Sequence, residues 1–525
     1  MKKKNMKLML LLASFTISFA SLGNNVQVSN VGLTGQNTNE KYTMIKFDVS
    51  WENSWKTSSY ESNWDAVWVF VKFRKKLEID WHHARLNNIG HIAPSNAVVE
   101  SGNRNVDMPF HASNNPSVGV FVHRYSEGIG PVNFSEIQLR WNYGVNGLAD
   151  YDSVEICVFA IEMVYIPEGA FYLGDNLFPG SSSSGHFVAG STLEPFILNS
   201  EGPLTIGNSS PTELWGTSSS GNNTIGPNGT LPTEFPKGFR GFYVMKYELS
   251  QFMYKEFLNK LTRTQQQARV SAITTGIYMR DHNASVVPTF RNGIKVMHDP
   301  GGSSPRIYGN DLNNNGVEGE INDGQHLACN WTSFLDQLAF ADWSGLRPYS
   351  ELEFEKICRG QLNPVANEYS WGTLNSVNAL TLSQPGQHNE IAANTNANAN
   401  YGSILTINGP MRNGCFSGPS SSREQAGAAY FGVMEMSGNL WEYIISIGRI
   451  DHRDFNGLFH GDGILTASGN SDVLNWPSSP GARGGSFLET SERLRISDRA
   501  SASIVTVFGS SRNNWSGIRL ARTAQ

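Results

Sequence analysis

Two acids, Glu435 and Glu442, bracket the turn signal Ser437-Gly438-Asn439 inside the apolar stretch from Phe431 to Tyr443. Such a turn leaves backbone carbonyls free to face inward. The aromatic and aliphatic residues on both sides predict that it is buried. A buried acid needs a partner, and hard oxygens converging on one point suit Ca²⁺. An ordinary buried turn with hydrogen-bonded carboxylates satisfies the same pattern.

A second oxygen-rich pattern is Asp311-Leu312-Asn313-Asn314-Asn315-Gly316, with Asp311, Asn313 and Asn315 at alternate positions and Gly316 at the bend. It matches the first half of a calcium loop. The twelfth position is Asn322 rather than Glu, so Glu318, Glu320 or Asp323 would have to supply the missing carboxylate. An Asn-rich surface turn is the competing reading. His82 and His83 have no acid at ligand spacing and read as structural or surface residues. Cys157, Cys329, Cys358 and Cys415 lie far apart without metal-ligand spacing, which leaves disulfides and buried free thiols both open.

The elements that must position these residues read as strands first. Ile45, Phe47, Val49 and Trp51 alternate with polar residues, while Val67 to Val71 is apolar on both faces, as an inner strand would be. Val118 to Val122, Ile137 to Trp141 and Val154 to Ile161 continue the pattern between Gly/Asn/Ser/Pro loops, which predicts an antiparallel β-sandwich over 25–160. The Trp-rich segment from Trp51 to Trp81 reads either as core aromatics or as a glycan-stacking surface. Residues 176–238 are Ser/Gly/Asn/Pro-rich and predict long surface loops. Ser250 can cap a helix bearing Tyr254, Phe257, Leu258 and Leu261; a second helix spans roughly Thr332 to Trp343. A third begins at Ser350 with Glu353 in a capping box and stops at Gly360.

Composition narrows the class. Thirteen Trp, 28 Phe and 52 Gly among 525 residues suggest a β-rich or loop-rich chain packed by aromatics. A net charge of −6 with no Lys/Arg cluster argues against nucleic acid and against a membrane surface. Lys2, Lys3, Lys4 and Lys7 precede the apolar run Leu8 to Phe19, which reads as a secretory signal peptide over 1–20. No later stretch is long and apolar enough to span a bilayer, so the expectation is an exported protein without a transmembrane anchor, periplasmic, cell-surface or secreted.

Residues 163–525 resemble the sulfatase-modifying-factor family, whose best-known members are formylglycine-generating enzymes. The landmarks occur in family order: Met163 to Gly174, Tyr243 to Phe257, Leu346-Arg347-Pro348 to Gly360, Ser370-Trp371-Gly372, Gly438 to Glu442, Gly484-Gly485-Ser486-Phe487 and Gly517-Ile518-Arg519. The resemblance implies an irregular fold related to C-type lectins over 161–525, hence an α+β chain overall. It also implies Ca²⁺ bound by the Glu435 and Glu442 side chains and the Gly438 and Leu440 carbonyls. The enzymes of the family oxidise a substrate cysteine with Cu(I) held by two thiolates after the Gly-Gly-Ser-aromatic motif. Glu489 and Leu494 stand at those two positions here, and no Cys follows Cys415. Copper needs soft sulfur, so the copper chemistry is not expected and no catalytic or cofactor-binding residue is assigned. The sulfoxide-synthase branch of the family binds iron through histidines of an added helical domain, which this chain lacks. Ser486 and Trp441 match pocket residues of the enzymes. The expectation is therefore a calcium-stabilised, non-catalytic member acting in binding or envelope assembly on a protein or glycan ligand. A formylglycine-type oxidoreductase and a glycan-binding module are the alternatives.

Overall fold

The structure is a computed structural model that describes residues 19–20, 25–102, 117–175, 185–218, 223–281, 283–502 and 511–524. The expected signal peptide lies outside the described residues except for Phe19–Ala20. The described chain is mostly sheet with a few short helices. No helix among these residues is long and apolar enough to cross a membrane.

One large antiparallel sheet gathers strands from both ends of the chain. Its order is Ala521–Thr523, Phe242–Met245, Val154–Ile166, Asp65–Lys75, Val120–Arg124 and Ala97–Ser101, with His82–His83 also paired to Asp65–Lys75. Val154–Ile166 runs straight across the expected boundary at residue 160. It pairs along its length with Asp65–Lys75, from Val164 opposite Asp65 to Val154 opposite Lys75. On its other side Ile166 to Met163 pair with Phe242 to Met245.

Asp65–Lys75 is covered on both faces because apolar residues occupy both sides of its two-residue period. Val67, Val69, Val71 and Phe73 share an apolar cluster with Ile45, Phe47, Val49 and Trp51 of a smaller antiparallel sheet formed by Gln27–Asn37, Tyr42–Lys56 and Gly128–Trp141. Ala66, Trp68 and Phe70 join Tyr254, Phe257, Phe340 and Trp343 on the opposite side. Trp68 Nε1 donates to the Ser344 carbonyl at 2.8 Å, and Lys72 Nζ donates to the Trp343 and Gly463 carbonyls at 2.7 and 2.8 Å. Burial holds the Lys72 ammonium well below its ordinary pKa. Trp51 and Trp68 are thus core residues, with Trp51 Nε1 donating to Asp65 at 2.8 Å. That removes both from any glycan-stacking surface; Trp55, Trp64 and Trp81 remain half-buried.

The helices start where their caps require. Ser250 accepts from Met253 N ahead of α1 (Gln251–Leu258), and Thr262 forms a capping box for α2 (Arg263–Arg269). Ser333 and Asp336 box the start of α3 (Phe334–Ser344), and Ser350 and Glu353 that of α4 (Glu351–Arg359). The stretch expected to be long surface loops differs. Its described residues carry a four-stranded sheet of His186–Ala189, Leu214–Thr217, Leu204–Ile206 and Gly229–Leu231. Phe187, Ile206, Leu214, Ile225 and Leu231 are buried beneath it, because alternate apolar residues in a polar context suffice to cover one face. All four cysteines are buried free thiols.

Trp68 links both ends of the chain to α3, so Trp68→Ala should cost about 3–5 kcal/mol in denaturant unfolding. A loss below about 1 kcal/mol would show that this packing contributes little.

Candidate functional site

The turn that opened the sequence reading is buried and held open by three left-handed residues, Glu435 (φ 57°), Gly438 (φ 97°) and Asn439 (φ 66°). Gly438 must be glycine: a Cβ there would lie 2.8 Å from the Asn400 carbonyl oxygen. Asn439 anchors the turn. Its Oδ1 accepts from Met411 N at 2.8 Å and from Asn400 Nδ2 at 3.1 Å, while its Nδ2 donates to Glu248 Oε2 at 2.5 Å. Leu440 N donates to the other Glu248 oxygen at 3.0 Å.

Glu442 lies in the strand Trp441–Ile444 and faces a guanidinium. Arg519 Nε donates to Glu442 Oε1 at 2.7 Å, and the Tyr349 hydroxyl donates to Glu442 Oε2. Arg519 also donates from Nη1 to the Met245 carbonyl at 2.8 Å and from Nη2 to the Met434 carbonyl at 2.6 Å. Glu435 Oε1 accepts from Gly414 N at 2.7 Å, and Glu435 Oε2 has no hydrogen-bond partner. Three buried carboxyls, Glu248, Glu435 and Glu442, therefore surround one guanidinium. Burial pushes all three upward in pKa, Glu248 well above its ordinary range and Glu435 to about 7, against the pull of Arg519.

This arrangement does not fit the calcium set assigned from the sequence, Glu435, Gly438, Leu440 and Glu442. Both Glu442 oxygens already accept charge-assisted or hydroxyl hydrogen bonds, and of the four carboxylate oxygens of the two side chains Glu435 Oε2 alone lacks a donor. Among the described residues no group of three or more His, Cys, Asp or Glu side chains is gathered to hold a metal.

The second pattern folds into a compact loop. Asp311 accepts from Asn315 N and Gly316 N at 3.0 Å each, and Lys295 Nζ neutralises it at 2.7 Å. The Asn313 and Asn315 amides both point at Glu320 Oε2, and Asn313 also reaches Asn322 Oδ1 at 3.1 Å. Asp323 is buried, its Oδ2 accepting from Glu320 N at 2.8 Å and its Oδ1 without a partner. Burial, with the charges of Asp311 and Glu320, pushes Asp323 up to about 6.

Around Ser486 the chain is packed. Ser486, Phe487 and Leu494 are fully buried, and Leu494 clusters with Tyr369, Trp371 and Ala399. Glu489 Oε1 accepts from Trp441 Nε1 at 3.2 Å. His83 is buried with Nε2 2.6 Å from the Val118 carbonyl, while His82 is exposed.

Sequence reasoning missed the partners of the buried acids. Glu442 and Arg519 are 77 residues apart. Glu351 in α4 meets Arg483 at 3.1 Å and Arg499 at 2.9 Å, Glu353 meets Arg347 at 2.6 Å, and Glu355 meets Arg483 at 2.7 Å. The only signal was the set of tail arginines in apolar surroundings, which demands acids without saying which.

The family model for the sulfatase-modifying factor enzyme 1-like domain matches residues 159–524. No curated protein matches the chain significantly.

Glu435 carries a pH dependence. Its folded pKa, about 7, lies above the unfolded value of 4.5. Stability from its protonation is full below the unfolded value and is lost as pH rises through the folded one. Glu435→Gln cannot ionise, so with EDTA present it should exceed the parent by roughly 2–3 kcal/mol near pH 8 and match it near pH 4.5. Parallel unfolding curves at both pH values would contradict that assignment.

Proposed function

The chain belongs to the sulfatase-modifying-factor family, and from that premise we propose that it is a non-catalytic member, exported, acting in binding or cell-envelope assembly. What supports this reading is the pair of residues at the positions where the resemblance puts the family's copper thiolates. Glu489 is a hard oxygen donor engaged by Trp441, and Leu494 is buried among Tyr369, Trp371 and Ala399. Neither side chain can supply the soft sulfur that Cu(I) requires. The four thiols that the chain does have are buried elsewhere, and burial raises the pKa of each, which opposes metal-binding thiolates. Export is supported by the basic and apolar order of residues 2–19. We read the N-terminal pair of sheets as a β-sandwich joined to the lectin-related family fold. The apolar cluster between those sheets supports the first half of that reading.

Calcium belongs in this reading at the Asp311 loop rather than at the Glu435 turn. With Asp311 neutralised by Lys295, the carboxylates for the ion are Glu320 and Asp323, the latter with an unpartnered buried oxygen. The Asn313 and Asn315 amides already converge on Glu320.

Two measurements test the reading. Cu(I) titration of the purified protein, with oxygen consumption against a cysteine-containing sulfatase peptide, should show neither stoichiometric tight binding nor turnover; tight binding with turnover would establish the oxidoreductase instead. Calcium should raise the melting temperature by roughly 2 °C, an effect absent from Glu320→Gln/Asp323→Asn and kept in Glu435→Gln. Loss of the calcium response in Glu435→Gln alone would return the ion to the turn.

A further inference from the structure

A cavity of about 340 Å³ opens on the seam where the end of Asp65–Lys75 and the segment after it meet the α1–α2 junction, α3 and residues 463–465. Its volume is at the lower end of the range for small-molecule sites. Each lysine and arginine of the lining is already paired with an acid: Lys75 with Asp152 at 3.2 Å, Lys260 with Glu256 at 3.6 Å, and Arg85 with Asp462 at 3.6 Å. Glu78 and Asp80 also line it, are exposed, and form no ion pair among the described residues. Lys76, the remaining charge of this turn, does not line the cavity. The wall therefore keeps two uncompensated carboxylates. A second, independent acceptor belongs to His83, which is in the lining and 2% exposed. Its Nε2 lies 2.6 Å from the Val118 carbonyl, a contact that needs the hydrogen on Nε2. Burial, with Lys72 and Arg85 nearby, pushes its pKa well below the ordinary value, so the ring is neutral and Nδ1 presents a lone pair. Nδ1 is the one buried polar side-chain atom of this lining without a hydrogen-bond partner among the described residues. Gly463, in the same wall, stands beside it with no side chain: a Cβ there would be 2.2 Å from Nδ1.

Acceptors without donors select a cation that carries hydrogens. An anion would meet Glu78 and Asp80 with no free cation in the lining to offset them, and a neutral ligand gains nothing from the uncompensated charge. A quaternary ammonium has no N–H for the carboxylates or for Nδ1, and it needs an open aromatic face. The Trp81 ring already has the Arg74 guanidinium and the Lys260 ammonium each 4.8 Å from its centre. The same occupied ring leaves a planar guanidinium nothing to stack on, whereas an ammonium is a compact point charge with three donors for separate acceptors. A metal ion is disfavoured, because among the described residues no three His, Cys, Asp or Glu side chains gather to hold one. Leu261 and Ile464, the latter 51% exposed, offer an apolar surface to a methylene stem. We propose that the seam cavity binds a primary alkylammonium group, with Glu78 and Asp80 as its counter-charges and His83 as the buried acceptor. The site shares no residue with the Glu435 turn, the Asp311 loop or the Ser486 region. Its success or failure is therefore separable from the non-catalytic reading.

The test is ligand-observed NMR titration of the full chain at low salt with cadaverine and with the blocked peptide acetyl-Gly-Lys-Gly-amide. The two probes separate a free diamine from a lysine side chain as the source of the group. At least one should bind with a Kd below about 10 mM. Pentamethonium keeps the chain and charge of cadaverine without N–H donors, and 1,5-pentanediol keeps the chain without charge. Each should bind about tenfold more weakly than cadaverine, or more weakly still. Glu78→Gln/Asp80→Asn, at exposed positions that preserve the fold, should weaken the ammonium probe about tenfold through lost hydrogen bonds to charged acceptors, with an unchanged melting temperature. Glu127→Gln removes an exposed acid outside the cavity and should bind as the parent does. Absence of binding by both ammonium probes, pentamethonium or the diol binding as tightly as they do, or ammonium binding indifferent to the double variant would each overturn the proposal.

Discussion

A single buried guanidinium ties together parts of the chain that are far apart in sequence. Arg519, from the last stretch of the protein, bonds to Glu442 in the strand after the turn, to the Met434 carbonyl ahead of the turn, and to the Met245 carbonyl in the large sheet. Removing either charge would strand the other in a dry interior, which typically costs several kcal/mol. Replacing both by apolar groups is far milder, so the pair fixes arrangement more than it adds net stability. Glu248 shares the same surroundings and clamps the turn through Asn439 and Leu440.

The same logic extends through α4, where Glu351, Glu353 and Glu355 each reach a buried arginine. Nearby, Leu494 packs against Tyr369, Trp371 and Ala399. The large sheet supplies the other constraint. Because Val154–Ile166 pairs with strands from before and after it, the N-terminal third packs into the family fold rather than hanging from it. A cavity of about 340 Å³ opens on the seam produced by that packing.

Much of the fold was legible in local chemistry. Ser250, Ser350 and the apolar run at Val67 to Val71 each declared their element, because capping and strand burial depend on neighbours a few residues away. The pairing of Val154–Ile166 on both its edges was not legible, since nothing local in the strand announces it. The short strands among residues 185–231 were hidden by Ser, Gly and Asn in their connections. At the turn, burial of Glu435 and Glu442 followed from flanking aromatics. The choice between a metal and an arginine as partner depended on Arg519, which local spacing does not place.

The account rests on the turn being an ion-paired structural element rather than a metal or catalytic centre. The most direct test is a double-mutant cycle of Glu442→Leu and Arg519→Met, followed by chemical unfolding with and without Ca²⁺. The account predicts losses of about 3–5 kcal/mol for each single variant and a double variant no less stable than the worse single, with calcium shifting all four proteins alike. Additive losses, or selective rescue of Arg519→Met by calcium, would contradict it.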